Sequence, residues 1–335
     1  MPILAGSDPA ALDAAAEALA RGELVALPTE TVYGLGARAD DDAAVAAIFA
    51  AKGRPSDHPL IVHVSDAAQA ERFAAGLPPV ARRLMEAFWP GPLTVIVPRR
   101  EGIGTAAAGG QDTIGLRCPS HPVARALLAR AQALGVAGVA APSANRFGRV
   151  SPTRASHVAD EFGAQLLVLD GGDCDVGIES AIVDCSRGRP VLLRPGVLTS
   201  AQIEAAAGEP LHAPDGSAPR ASGTLEQHYA PHATVRLMPL AQLRTALDVL
   251  PADALRASKG SNKLAVYSRS LASVPRGLRL ARMPADAQAA AQELFATLRD
   301  LDAEGVTLIW VEDPPDEPAW AGVRDRLRRA AAAGR

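Results

Sequence analysis

Two short stretches near the amino terminus hold the residues best suited to chemistry. Leu27-Pro28-Thr29-Glu30-Thr31-Val32-Tyr33-Gly34-Leu35-Gly36 combines hydroxyls with flexible turns, and Lys52-Gly53-Arg54-Pro55 follows with two cations. Lysine acts as a point charge and arginine as a two-pronged donor, so the pair suits a phosphate or another anion. Taken alone, Lys-Gly-Arg-Pro fits a helix end equally well, with cations facing the last carbonyls before a proline stop. A second hydroxyl and amide loop, Ala141-Pro142-Ser143-Ala144-Asn145, is followed by Ser151-Pro152-Thr153; by itself it is an ordinary turn. Arg117 after Thr113-Ile114-Gly115-Leu116, and Arg194 in Leu193-Arg194-Pro195-Gly196, each set a cation at the end of an apolar strand. With Lys52 and Arg54 they make a convergent cationic site. Asp170 to Ser180 reads either as an Asp/Gly-rich turn or as a polar wall for a zwitterion's amine.

Other residues offer less. His63 shares a strand face with Ile61, and His58, five positions earlier, has no metal-ligand spacing, so no zinc site is expected. His228 and His232 flank Pro231, which denies them helical i, i+4 geometry. Gly104 to Gly109 resembles a phosphate loop, but Gly110-Gln111 stands where Lys and Ser or Thr are required. The three cysteines, Cys118, Cys174 and Cys185, lack metal-type spacing, and Met1-Pro2-Ile3 opens no basic-then-apolar leader. A reducing, cytoplasmic setting is the expectation. The apolar stretch near Leu134 to Ala141 falls short of the roughly 20 residues a bilayer-spanning helix needs, so no membrane role is expected. A net charge of -3 argues against a protein that coats nucleic acid. Arg324 to Arg329 read as a solvated helix face.

These residues need a scaffold, and 335 residues suggest two domains. The pattern predicts a helix after an N-cap at Ser7 or Asp8, a strand over Glu23 to Leu27, and a helix from about Asp42 to Lys52. The Thr/Gly loop then lies at a strand's carboxyl end, where open α/β sheets bind ligands. Leu60 to Val64, Leu93 to Val97, Thr113 to Leu116, Val136 to Ala140, Leu166 to Leu169, Ala181 to Val183 and Val191 to Leu193 read as strands separated by helical or turn segments. Not every strand pair has a helix between its members, so the sheet should be mixed, with flanking helices. Gly208 to Gly223 is rich in turn formers and reads as a linker. Beyond it, strands at Thr234 to Leu237, Leu264 to Tyr267, Leu278 to Arg282 and Val306 to Trp310 alternate with helices at Leu240 to Leu250, Ala285 to Leu301 and Pro318 to Ala331. That alternation predicts a small Rossmann-like domain, without the glycine fingerprint of a dinucleotide site.

Taken together, the segments resemble the YrdC-like family in its long form, the threonylcarbamoyl-AMP synthases. The resemblance runs in order through Thr29 to Leu35, Lys52-Gly53-Arg54-Pro55, Pro59-Leu60-Ile61-Val62-His63, Pro90-Gly91-Pro92-Leu93-Thr94, Ser143-Ala144-Asn145, Glu179-Ser180, Leu193-Arg194-Pro195-Gly196 and His228-Tyr229-Ala230-Pro231. It is close up to about residue 231 and looser beyond. It implies a YrdC-like catalytic domain of twisted mixed sheet over residues 1–207, a linker or lid over the active site at 208–231, and a Rossmann-like domain at 232–335. It departs from the family at His58, where Asn is frequent, at Ala181, where Thr is common, and at Thr224 to Gln227, which replace a more basic run.

The resemblance further implies that L-threonine takes up bicarbonate or CO2 on its amine and that the carbamate attacks the α-phosphate of ATP, releasing pyrophosphate. It implies catalytic, phosphate-binding roles for Lys52, Arg54, Ser143 and Asn145, and further nucleotide contacts from His58, Thr113, Ser151, Arg194 and Tyr229. Thr31, His63, Arg117, the Ala141 backbone and Ser180 would form the threonine pocket, Arg117 pairing with the substrate carboxylate. Magnesium would arrive with ATP, without a metal site of its own. The product would pass to the tRNA threonylcarbamoyl-transferase machinery; direct tRNA contact is left open. The alternatives are an RNA-binding or ribosome-associated module and carbamoyl transfer to a protein thiol. Relatives that perform the latter carry cysteine clusters missing from this sequence.

Overall fold

The structure, a computed structural model, describes residues 3–225, 227–250 and 263–333. The chain forms two compact units, Met1–Phe147 with Ser151–Thr224, and Gly148–Val150 with Leu225–Arg335. Glu226 of the expected linker, and 251–262 and 334–335 of the expected C-terminal domain, lie outside the described residues.

The first unit is built on a ten-stranded mixed sheet, as the uneven spacing of helices predicts. Its strands are β1 (Ile3–Ala5), β2 (Val25–Leu27), β3 (Gly34–Arg38), β4 (Ile61–His63), β5 (Leu93–Pro98), β6 (Thr113–Arg117), β7 (Val139–Ala140), β8 (Leu167–Asp170), β9 (Ala181–Asp184) and β10 (Val191–Arg194). They are ordered β1-β8-β2-β3-β7-β4-β6-β5-β9-β10. Helices α1 (Pro9–Ala20) and α5 (Pro122–Ala133) bury Leu12, Leu19, Leu127 and Leu128 against Val25, Leu27 and Leu169. A second apolar cluster joins Ile48 and Phe49 of α2 (Asp42–Lys52), Phe73 of α3 (Ala67–Phe73) and Leu84 of α4 (Pro79–Phe88) to Leu35, Val62 and Val95.

Strands β1, β3 and β7 differ from the sequence expectation, which marked no strand over Ile3–Ala5. Gly34-Leu35-Gly36 forms part of β3, antiparallel to β2, where a loop was expected. The glycines hide the strand signal, yet the packing requires one of them closely: a Cβ on Gly36 would meet Leu27 Cδ2 and Val139 Cγ1 at 2.9 Å. The strand expected over Val136 to Ala140 is confined to Val139–Ala140. Upstream of it, a Cβ at Gly138 would lie 2.8 Å from the Phe73 ring, a close approach that only a missing side chain allows.

The second unit holds four parallel strands, β11 (Thr234–Met238), β12 (Lys263–Ser268), β13 (Arg279–Arg282) and β14 (Val306–Glu312), ordered β11-β14-β12-β13. Its helices include Leu240–Asp248 and the long Ala287–Ala303, giving the Rossmann-like alternation. Buried Glu312, at the carboxyl end of β14, accepts from Ser270 Oγ at 2.6 Å and pairs with Arg269 at 3.0 Å.

Candidate functional site

Strand pleating gathers much of the expected chemistry on one face of the first unit's sheet. Thr113, Gly115 and Arg117 alternate along β6, and parallel β4 sets Ile61 beside Gly115 and His63 beside Arg117. On the other side, Thr94 of β5 lies opposite Ile182 of β9, which lies opposite Arg194 of β10. The pairing register shifts between Leu192 and Arg194. A small cavity lined by Ile61, Thr94, Thr113, Gly115, Ile182 and Ser222 lies over this face. The floor of the site is thus a sheet face, and the Thr29 to Tyr33 loop follows the carboxyl end of β2, as the sequence predicts. Antiparallel β7 sends Ala141 back alongside Ile61, whose carbonyl accepts the Ala141 N–H at 3.0 Å.

The Thr/Gly loop is held from both sides. Leu35 N–H donates to Pro142 O at 2.8 Å, Ala144 N–H to Tyr33 O at 2.8 Å, and Tyr33 N–H to Pro152 O at 2.9 Å. Within the loop, Thr29 Oγ1 lies 2.9 Å from Thr31 Oγ1, and Thr31 Oγ1 accepts from Arg117 Nη1 at 2.8 Å. Arg117 Nε donates to Gly91 O at 3.3 Å, and its Nη2 forms a buried ion pair with Glu30 at 2.6 Å. Burial, with the positive charge of Arg117, pushes the His63 pKa down to about 3, so this imidazole is neutral. Its Nδ1 has no hydrogen-bond partner among the described residues.

A second group lies around helix α2. Asp41 caps its start, accepting from Ala43 N–H at 2.9 Å, and Gly53 ends it in the left-handed conformation. That turn orients Arg54, whose Nη2 donates to Pro59 O at 2.9 Å and reaches Ser222 Oγ at 3.5 Å. The Arg54 guanidinium lies over the Phe147 ring, 5.9 Å from its centroid, and His58 meets the same ring edge-on at 5.5 Å. Burial and Arg54 lower the His58 pKa. Lys52 turns inward: its Nζ donates to the carbonyls of Ser143, at 2.6 Å, and Asn145. Burial first, then Arg54, hold the Lys52 pKa well below the ordinary lysine value.

Arg194 joins the two groups. Its Nε donates to Ser180 O at 3.1 Å, its Nη2 to Ser180 Oγ at 3.3 Å, and its Nη1 to Ser222 O at 2.8 Å. Ser180 Oγ also lies 2.8 Å from Thr94 Oγ1, and the neighbouring Glu179 accepts from Ser151 Oγ. Tyr229 is the one implied residue in the second unit. It is buried at φ 61°, its ring stacked on Phe295 with centroids 5.4 Å apart and on edge to His228. A separate cavity of about 310 Å³, lined by Leu77, Met85, Trp89, Cys118 and Arg125 among others, contains none of the implied residues.

Sequence reasoning assigned no role to Glu30, Thr94, Phe147 or Ser222, all of which touch implied site residues. Only Glu30 carried a usable signal, as an acid between two threonines in a loop of otherwise neutral residues. The others acquire partners through sheet register and chain return.

The fold and site together define a YrdC-like α/β unit followed by a Rossmann-like one. A family profile described as "Telomere recombination", for Sua5, YciO and YrdC proteins, matches residues 17–196, and "Threonylcarbamoyl-AMP synthase, C-terminal domain" matches residues 198–332. The threonylcarbamoyl-AMP synthase of Pyrococcus abyssi is 38% identical over 324 residues, covering 94% of this chain and 92% of its own length. That of Bacillus subtilis is 38% identical over 338 residues, covering 98% and 94%. The crystal structure of P. abyssi Sua5 complexed with L-threonine superposes with a TM-score of 0.84 at 36% identity, covering 96% of this chain and 94% of that one. The chain belongs to the threonylcarbamoyl-AMP synthase family.

Proposed function

We propose that the protein makes L-threonylcarbamoyl-AMP and pyrophosphate from L-threonine, bicarbonate or CO2, and ATP. Threonine's ammonium and bicarbonate combine to a carbamate with loss of one water and one proton. A carbamate oxygen then attacks the α-phosphorus of ATP, forming the O–P bond as the bond to the bridging oxygen of pyrophosphate breaks. The carbamate is already an anionic nucleophile, so the side chains act by placing the reactants and neutralising charge. In this reading Arg117, Thr31, neutral His63 and Ser180 hold threonine. Lys52, Arg54, Arg194, Ser143, Asn145, Ser151, Thr113, His58 and Tyr229 serve the nucleotide. Magnesium travels with the ATP phosphates as part of that substrate. Among the described residues no group of three His, Cys, Asp or Glu side chains could hold a metal ion.

The observation that carries this reading is the double contact of Arg194 with Ser180, which joins a cation suited to phosphate and a hydroxyl suited to an amino acid on one sheet face. The L-threonine complex of P. abyssi Sua5 supports the amino-acid half. The product would be consumed by a tRNA-modifying transferase. The test is threonine-dependent pyrophosphate release by purified protein given ATP, bicarbonate and magnesium. Equal release without threonine rejects the reading.

A further inference from the structure

Glu30 is 4% exposed, and its carboxylate is held by more than one group. Oε1 pairs with Arg117 Nη2 at 2.6 Å, Oε2 accepts from Ser120 N–H at 3.1 Å, and the Glu30 carbonyl accepts from Val176 N–H at 2.8 Å. The carboxylate is thus tied to both Arg117 and the Ser120 amide. The Nη2 to Oε1 contact pairs a guanidinium with a carboxylate, both buried. Arg117 has five N–H groups for three protein partners, Gly91 O, Thr31 Oγ1 and Glu30, which leaves two over. A buried guanidinium without a counter-charge would be costly. Paired with Glu30 it is neutral overall, which suits a zwitterion better than a free anion.

We propose that Glu30 is a positioning residue of the amino-acid pocket, aiming Arg117 so that its remaining N–H groups receive the carboxylate of a zwitterionic α-amino acid. This rests on the threonine-pocket reading above. Glu30 touches no substrate and acts through Arg117. A Gln side chain keeps the size but turns one of the two acceptor oxygens into a donor, so it can serve Arg117 or the Ser120 amide but not both.

The test is calorimetric titration of the full chain with L-threonine and, separately, with ATP and magnesium. Glu30→Gln is expected to weaken threonine binding about tenfold to a hundredfold, with ATP binding unchanged. Glu30→Asp, which keeps the charge but shortens the reach, is expected to fall between and guards against a misfolded Gln variant. In an Arg117→Gln background, Glu30→Gln should cost nothing further. Unchanged threonine affinity, an equal loss of ATP affinity, or additive losses in the double variant would each overturn the assignment. Wild-type protein that binds threonine but releases no pyrophosphate rejects the proposed reaction and leaves the Glu30 assignment to these affinities.

Discussion

Lys52 donates from Nζ to the carbonyl oxygen of Ser143 at 2.6 Å, and only 2% of the lysine is exposed. The lysine that the sequence offers as a phosphate clamp thus also ties the end of helix α2 to the Ser143 to Asn145 loop. Lys52→Met should strand both carbonyls, destabilising the fold by about 1–3 kcal/mol for each one left without a donor. Chemical denaturation measures this; an unchanged midpoint would show the contact to be idle.

Arg54 and Arg194 should separate by substrate. Arg54→Ala is expected to lower kcat/KM for ATP about tenfold to a hundredfold, from a lost charge-assisted hydrogen bond of roughly 1.5–3 kcal/mol, with the fold intact. Arg194→Ala should do the same and also raise KM for threonine, because its Nε and Nη2 hold Ser180. Steady-state kinetics with each substrate varied decides between them. A threonine KM unmoved in the Arg194 variant would break the link between the two groups.

His63 gives a pH signature in stability. Its buried imidazole takes a proton only near pH 3, against 6.5 for an ordinary histidine, so the unfolded chain binds more protons between those values. The resulting stability is complete above pH 6.5 and is lost as the pH falls toward 3. His63→Gln should show a shallower loss across that window in denaturation series. A slope identical to wild type would contradict a buried neutral imidazole.

Amino-acid selectivity reports on the hydroxyl contacts. If the pocket hydrogen-bonds the substrate hydroxyl, valine should be rejected by about 10⁴-fold, whereas serine, lacking one methyl, should lose only about tenfold to a few hundredfold. Pyrophosphate release with each amino acid measures the ratio, and comparable rates with valine and threonine would refute the assignment.

Motifs, strand runs and the split into a mixed-sheet unit and a Rossmann-like unit were legible in the sequence because they depend on local composition and periodicity. Helix α2, with Asp41 before it and Gly53 after it, is set by its own residues. The glycine strand Gly34–Arg38 was not legible, because its glycines answer to Leu27 and Val139, neighbours supplied by other strands. The same limit applies to the site. Spacing marked Arg117, Lys52 and Arg194 as cations of interest, but their partners Glu30, Asn145 and Ser180 follow from how the strands pair. Residue type and chain order determined which chemistry is available. Only the tertiary structure decided which side chains come together and which hold one another, because sheet register and burial act between segments that local sequence does not connect.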